Sequence, residues 1–307
     1  MFTVLVNPIL LVNTEEIRKV SLTGKGGYEK HNAVLRALSI PLILLLDLLP
    51  GKIGRALYLA FSGKDNNRKE LIEGVKTSRA LEVMYTYHER RNQGELNPVS
   101  IFWGKFISNS MALRNRLHLV RKTIAERAAE IAERKGEVNI LSVGSGSARP
   151  VIEAVAMLGA SPAVKIMMVD MDREAIQFSK RLATTYDVNH SNWVFGNFFR
   201  LERICKDFHP DLIEVVGLLD YLDRQRAVDL LTKTFSILNP DGYLITGNVS
   251  PNIEVPFVTK TMMWPMIYRR PRDLFDLLTQ SGFKAENIKI MKEPLGIHMV
   301  AIARKLV

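Results

Sequence analysis

The sequence predicts an α/β protein: a doubly wound, mostly parallel seven-stranded sheet with an antiparallel last strand, preceded by a helical N-terminal region. Three observations predict it. After Gly136, short apolar runs alternate with helical patterns, the signature of a parallel sheet covered by helices on both faces. The first apolar run passes straight into Gly144-Ser145-Gly146 and a helix opening near Pro150. The last two runs, 288–291 and 298–303, are separated by too few residues to be parallel, because a parallel connection needs about a dozen.

The elements follow in order. Residues 1–13 are apolar but lack a basic start and a small-residue cleavage site, so no signal peptide is expected. Residues 30–49 are apolar on nearly every side, Pro50-Gly51 breaks the pattern, and 53–61 resume it. Together they read as a helical hairpin. A buried helix pair is the simpler reading, and a helix lying on a membrane surface is the alternative. The run 40–49 holds Pro41 and Asp47 and falls short of the roughly 20 apolar residues that span a bilayer. Residues 69–91 form a helical pattern through Leu71, Val75, Leu81 and Met84, and 92–97 a loop. Residues 111–135 form a long amphipathic helix striped by Leu113, Leu117, Val120, Ile124, Ala128 and Ile131, with Arg114, Arg116, Arg121, Lys122 and Arg127 on other faces and Gly136 as its stop. Strands are expected at 138–143, 164–169, 193–195, 212–216 and 243–246, and helices at 150–158, 173–186, 225–238 and 271–280. This divides the chain into an accessory region, 1–110, and a ligand-binding domain, 111–307.

Composition narrows the partners. Of 307 residues, 47% are hydrophobic and 24% charged, ordinary globular values. The net charge of +10 is uneven: 22 Lys and Arg face 13 Asp and Glu up to Lys135, but 20 face 19 beyond it. A basic N-terminal part suits an anionic partner such as an acidic lipid surface, a carboxylate substrate or nucleic acid, or simply a solvated surface. The lone cysteine, Cys205, excludes an intrachain disulfide, fits a cytoplasmic location, and reads as structural. The six histidines are scattered, none at metal-ligand spacing. His298 lies in the last strand, where it could face the site, and a satisfied structural histidine is the simpler reading.

The chemistry concentrates at strand ends. In Ile140-Leu141-Ser142-Val143-Gly144-Ser145-Gly146-Ser147-Ala148, glycines let the backbone approach a ligand, and the following helix N-terminus attracts negative charge. A dinucleotide fingerprint would put a third glycine where Arg149 stands, so that reading fails. S-adenosylmethionine, with a carboxylate and an adenosine but no pyrophosphate, is the alternative ligand. Asp170 ends the second strand, on the side where a carboxylate meets a ribose diol; the helix-cap role belongs better to Asp172. Gly196, Asn197 and Phe198 end the third strand, where an amide can read an adenine edge; a plain turn is the competing reading. Gly217, Asp220 and Tyr221 end the fourth. Ligands of open α/β sheets sit outside these carboxyl ends.

On these residues the region from Met111 onward resembles the class I S-adenosylmethionine-dependent methyltransferases. The resemblance implies that Gly144, Ser145 and Gly146 cradle the methionine part, that Asp170, followed by Met171, meets the ribose, and that Gly196, Asn197 and Phe198 meet adenine, with S-adenosylhomocysteine as product. The sequence departs from the family at Ser142, where an acidic residue is frequent, and at Ala148, where a third glycine is frequent. More narrowly, residues 217–222 and 247–252 with Trp264, Tyr268 and Arg269 resemble a bacterial subgroup linked to methyl esters of hydroxy fatty acids. That resemblance implies in-line methyl transfer to a hydroxyl or carboxylate of a small-molecule or lipid-like acceptor. Asp220 or Tyr221 would be the base for a hydroxyl; Arg269 or Arg270 would pair with a carboxylate or form a basic surface turn ahead of the 271–280 helix; and Asn248 would hydrogen-bond the acceptor or shape the turn. Met262, Met263, Trp264 and Met266 would line an apolar pocket or simply pack. Peripheral membrane contact through the N-terminal helices fits this reading. The alternatives are an RNA methyltransferase using an Arg114–Arg127 stripe, and a non-catalytic cofactor-binding protein. Nucleic acid is the weaker partner, because no RNA-binding module and no Asn/Asp-Pro-Pro-aromatic motif is present.

Overall fold

The structure, a computed structural model, describes residues 17–20, 27–54, 56, 78–159, 163–188 and 190–306. Its N-terminal helices are α1 (Ala33–Leu48), α2 (Ser78–Tyr85), α3 (Tyr87–Asn92), α4 (Pro98–Phe106) and α5 (Ser108–Lys135). The sheet region continues as β1 (Glu137–Val143), α6 (Arg149–Leu158), β2 (Ala163–Asp170), α7 (Arg173–Thr185), β3 (Ser191–Phe195), α8 (Leu201–Ile204), β4 (Leu212–Val215), α9 (Arg224–Ile237), β5 (Tyr243–Val249), α10 (Pro271–Gln280), β6 (Ile288–Lys292) and β7 (His298–Arg304).

The seven strands lie in the order β3-β2-β1-β4-β5-β7-β6. The first five are mutually parallel, and β7 runs antiparallel between β5 and β6. This is the predicted mixed sheet. The residues alternate faces with the period of two that a strand dictates. Leu141, Val143, Met167, Val169, Ile213, Val215 and Leu244 pack on Leu230 and Leu231 of α9 and Leu274, Leu277 and Leu278 of α10. Their neighbours Ile140, Ile166, Met168, Leu212 and Ile245 pack on Val120, Ile124 and Ile131 of α5, Ile152 of α6 and Leu182 of α7. Cys205 is buried in the first of these cores, its thiol pushed up to about 11 by burial, as a structural residue would be.

The helix ends follow their sequence signals. Gly136 ends α5 in the left-handed region at φ +79°, where a residue with a side chain is strained. Asp172 caps α7 by accepting the Glu174 N–H at 2.9 Å, and Asp223 caps α9 through the Arg226 N–H at 2.9 Å. The N-terminus of α5 is held by a distant carboxylate: Glu254 accepts the N–H groups of Ser108 at 2.7 Å and Asn109 at 2.9 Å. Asn252 accepts from the Asn109 amide at 3.2 Å, so part of the 247–252 motif docks α5 onto the loop after β5.

Three expectations need correction. Helix α4, which begins after Asn97 accepts the Ser100 N–H at 2.8 Å, has no counterpart in the sequence reading. The 69–91 pattern yields α2 and α3 with a break at Thr86, whose hydroxyl donates to the Glu82 carbonyl at 2.7 Å; residues 69–77 lie outside the described residues. The first arm of the hairpin is not buried on all sides: Ile43 faces inward, but Val34, Leu38, Leu45 and Leu48 are exposed. Most of its second arm, like residues 1–13, lies outside the described residues.

A buried charge network joins the helices to the sheet. Arg149, fully buried at the start of α6, donates to both carboxylate oxygens of Glu82 on α2, to Glu153 one turn on, and to the Arg18 carbonyl. Glu153 also pairs with Arg121 of α5 at 2.7 Å and accepts from the Tyr186 hydroxyl at 3.1 Å. Removing one member of such a network strands the others. Arg149→Ala is expected to lower unfolding free energy by about 3–5 kcal/mol. Denaturant unfolding reads this as a lower midpoint, and replacing Glu82 and Glu153 by Gln in the same chain should restore part of the loss.

Candidate active site

A cavity of about 330 Å³ opens along the carboxyl edge of the sheet. Its wall runs from the ends of β1 and β2, through β4, to the segment after β5, and α2 and α5 complete it. Gly144 and Gly146 turn the chain at φ +61° and +53°. A Cβ on Gly144 would meet Leu218 Cδ2 at 3.1 Å, so the bare backbone is needed for this close approach. Ala148 holds the same left-handed conformation at φ +52°. The frequent third glycine is therefore replaced in identity but not in backbone shape.

Asp170 is fixed by this turn. Its Oδ2 accepts the Gly146 N–H at 2.7 Å and its Oδ1 the Asp172 N–H at 2.8 Å, while Asp172 takes the cap role. Ser145 Oγ is buried and has no hydrogen-bond partner.

On the other side, Arg116 of α5 is buried, donates to the Tyr85 hydroxyl at 2.9 Å, and lies 3.8 Å from Asp220 Oδ2. Asp220 Oδ1 accepts from the Val249 N–H at 2.9 Å and the Asn248 amide at 2.8 Å. Burial raises the Asp220 carboxyl pKa above the usual range, with Arg116 opposing. The Tyr221 hydroxyl accepts from the Trp264 indole at 2.6 Å, and burial pushes it up to about 12.

The sequence profile of a family described as "Putative methyltransferase" matches residues 83–305. The chain belongs to this methyltransferase family. No curated protein sequence matches it significantly. Among solved structures, a protein from Bordetella parapertussis described as a possible exported protein is similar at 18% identity, over 90% of this chain and 95% of that one, with a TM-score of 0.69. Magnesium protoporphyrin IX methyltransferase from Synechocystis PCC 6803, with bound S-adenosylmethionine, is similar at 11% identity over 80% and 99% of the two chains, with a TM-score of 0.52. An O-methyltransferase family protein from Burkholderia thailandensis is similar at 12% identity over 87% and 71%, with a TM-score of 0.53. At these identities the likeness is one of fold, that of the class I S-adenosylmethionine-dependent methyltransferases.

In this methyltransferase the structure gathers Gly144, Ser145, Gly146, Asp170, Met171, Phe198, Gly217, Asp220 and Tyr221 around the cavity. Six expected residues do not line it: Gly196, Asn197, Asn248, Met263, Arg269 and Arg270. Gly196 is a packing glycine, where a Cβ would meet Ile204 Cδ1 at 2.9 Å. Asn197 caps the short turn that follows, its side-chain oxygen accepting the Phe199 N–H at 2.9 Å. Asn248 is buried, giving its amide N–H groups to Asp220 and the Ile267 carbonyl at 2.8 Å each and accepting from Arg269 at 2.7 Å. Arg269 spends its guanidinium on that amide and on the Leu219 and Leu222 carbonyls at 2.6 and 2.5 Å. Both therefore hold Asp220 from behind rather than meeting an acceptor. The Arg270 N–H is taken by Asp273 at 2.8 Å, at the start of α10. Met262, Trp264 and Met266 line the cavity, whereas Met263 is exposed outside it.

Three residues that do line it were missed or misread. Arg116 resembled a solvated helix charge in the sequence. His298 faces the cavity although it was read as structural; its Nδ1 is buried without a partner, and burial together with Arg116 holds its pKa well below the usual value. Glu214, opposite Ser142 in the β1–β4 register, accepts the Ser142 hydroxyl at 2.6 Å and the Val216 N–H at 3.0 Å. A charged residue inside an apolar strand was the available signal for it.

Burial raises the Glu214 carboxyl from 4.5 to about 7, against the opposing effects of Ser142, the Val216 N–H and Arg116. The folded protein therefore binds this proton more tightly than the unfolded chain. Its contribution is complete below about pH 4.5 and is lost as pH rises through about 7. Between pH 4.5 and 7 the wild type is expected to lose about 3 kcal/mol relative to Glu214→Gln, whose stability lacks this proton linkage. Denaturant titrations of both proteins across that range measure the difference.

Proposed function

We propose that this protein uses S-adenosylmethionine to methylate an oxygen, hydroxyl or carboxylate, of an apolar, lipid-like small molecule. The observation that carries this reading is the two-part cavity wall. Toward β1 and β2, the glycine turn gives close backbone approach, Ser145 Oγ is a buried group awaiting a partner, and Asp170 is a pre-oriented carboxylate. These residues fit the cofactor: the turn and Ser145 would hold its aminoacyl part, Asp170 its ribose, and Met171 and Phe198 would flank its adenine. Toward β4 and β5, Met84, Leu113, Val258, Met262, Trp264 and Met266 form an apolar wall, into which Arg116, Asp220 and Tyr221 bring polar groups. That composition suits an apolar body with an oxygen-bearing head.

When bound, the cofactor supplies a sulfonium methyl already activated for displacement. The chain's own residues then need to orient the acceptor and exclude water, and the apolar wall does both. A carboxylate acceptor needs no base, and Arg116 is the cation that would meet it. For a hydroxyl acceptor, Asp220 Oδ2 is the acceptor atom left open by Asn248 and Val249. Tyr221, protonated at neutral pH, would donate a hydrogen bond rather than take a proton. Methyl esters of hydroxy fatty acids remain the finer product class that the 217–222 and 247–252 segments support.

RNA is the poorer acceptor reading, because the supposed stripe turns inward. Arg114, Arg116 and Arg121 are buried and paired with Glu29, Asp220 and Glu153. Among the described residues no helix is long and apolar enough to cross a membrane. The exposed apolar residues of α1, with the basic N-terminal charge, support peripheral contact with an anionic lipid surface as the route by which such an acceptor arrives.

Calorimetry with S-adenosylmethionine and S-adenosylhomocysteine tests the cofactor half. Micromolar binding is expected, weakened about 100-fold in Asp170→Ala, which loses charge-assisted bonds to two hydroxyls. Binding should then be followed by methylation of fatty and hydroxy-fatty acids but not of RNA, with KM for the acceptor raised about 10-fold or more in Trp264→Ala. Folded wild type that binds neither cofactor form defeats the reading, and binding without turnover on any oxygen acceptor favours a non-catalytic binder.

Vesicle co-sedimentation tests the membrane route. Retention on vesicles containing about 30% anionic lipid is expected, and should fall several-fold in Leu45→Glu/Leu48→Glu and in about 0.5 M salt. Equal retention of the variant would show that α1 is not the contact.

A further inference from the structure

Glu214 presents a carboxyl group without a counter-ion to the cavity. It is 5% exposed, lines the cavity, and accepts two hydrogen bonds from neutral donors, Ser142 Oγ and the Val216 N–H. Among the described residues no Lys, Arg or His forms an ion pair with it. The cation whose field reaches it, Arg116, is bonded to Tyr85 and lies against Asp220. A desolvated carboxylate without a counter-ion is costly, and a cationic group entering the cavity would relieve that cost. Close by in the chain, three residues beyond the Ser142 that bonds it, the buried Ser145 hydroxyl also lacks a partner. A carboxylate wanting a cation and a hydroxyl able to donate together match a zwitterion, the α-amino-acid group.

We infer that Glu214, reaching across from β4, is the anionic seat for the ammonium of the cofactor's aminoacyl group, in place of an acidic residue at Ser142. This inference rests on the cofactor reading above, and extends it to a residue outside the glycine turn. Ser142 then becomes a positioning residue: its hydroxyl orients one Glu214 oxygen, and the Val216 N–H orients the other.

The probes are S-adenosylhomocysteine, its analogue with the amino group replaced by hydrogen, and methylthioadenosine, which lacks the whole aminoacyl group. Calorimetry on the full chain should show wild type binding S-adenosylhomocysteine about 10- to 100-fold more tightly than the deaminated analogue, the range of a charge-assisted bond. Glu214→Gln should abolish that preference while leaving methylthioadenosine within about 3-fold of wild type. Glu214→Asp should keep part of it. Asp170→Ala should weaken all three, because they share the ribose. Equal losses of S-adenosylhomocysteine and methylthioadenosine in Glu214→Gln, or unchanged affinity for both, overturn the inference while the cofactor site stands. The wild-type comparison of the two homocysteine ligands decides the matter even if the variant does not fold: no preference for the amino group overturns it. Wild type that binds none of the three removes the cofactor reading and this inference together.

Discussion

The buried guanidinium of Arg149 is the constraint on which the site depends. It sits where a dinucleotide-binding turn would need glycine, and it fills that place with charge. Two carboxylates from different elements, Glu82 of α2 and Glu153 of α6, close on it, and Arg121 of α5 closes on Glu153. One interaction thus fixes the first turn of α6, directly behind the glycine turn, against the helices that cover the sheet edge. A buried network of this kind adds little net stability compared with apolar packing, but it penalises every arrangement in which one member is absent. It therefore specifies a single docking of α2, and α2 contributes Ser78, Leu81, Met84 and Tyr85 to the cavity wall. The accessory helices and the ligand cavity are linked through charge rather than through area alone.

A second buried network performs the corresponding task at the far side. Arg269 grips two carbonyls of the turn after β4 and the side chain of Asn248, and Asn248 and the Val249 N–H share one oxygen of Asp220. The other oxygen of Asp220 is left facing Arg116. Residues whose chemistry suggested direct contact with an acceptor instead set the direction of a carboxylate. Their position one layer back is physically reasonable. A charge presented to a cavity is useful only if it cannot rotate away, and Asp220 is held by groups that are themselves buried and bonded.

The strands, their order of appearance and the antiparallel end followed from periodicity and connection length, because a parallel sheet buried on both faces leaves apolar runs of characteristic spacing. The glycine turn, Asp170 and the Asp172 cap were readable because each is a local backbone requirement carried by one residue type. The reading failed where the same residue type serves two environments. Arg114, Arg116 and Arg121 lie on a helix in the spacing of a solvated stripe, and their burial depends on Glu29, Asp220 and Glu153, carboxylates far from them in the chain. Asn197 and Gly196 stand at the end of β3 as read, and a turn cap and an Ile204 contact account for them locally. Helix α1, apolar on most sides, looked like core, yet only part of it meets other elements. The arginine misreadings concern partners distant in sequence, which local pattern does not encode.

Ser142 and Glu214 show why residue-by-residue comparison understates this chain. Taken alone, a serine at an acidic position reads as a lost function. Parallel pairing puts Glu214 beside it, one strand over, with its carboxylate on the serine hydroxyl. The negative charge at the end of β1 has been moved, not removed, and the move changes its character. Held by two neutral donors in a desolvated wall, the Glu214 carboxyl is raised to about 7, and a positive neighbour would favour its ionised form. Ala148 tells the same story in backbone terms, since it keeps the left-handed turn that glycine would adopt without strain. In both places the geometry is retained while the residue identity differs, so the site is better recognised by where charge and open backbone lie than by the letters of its motif.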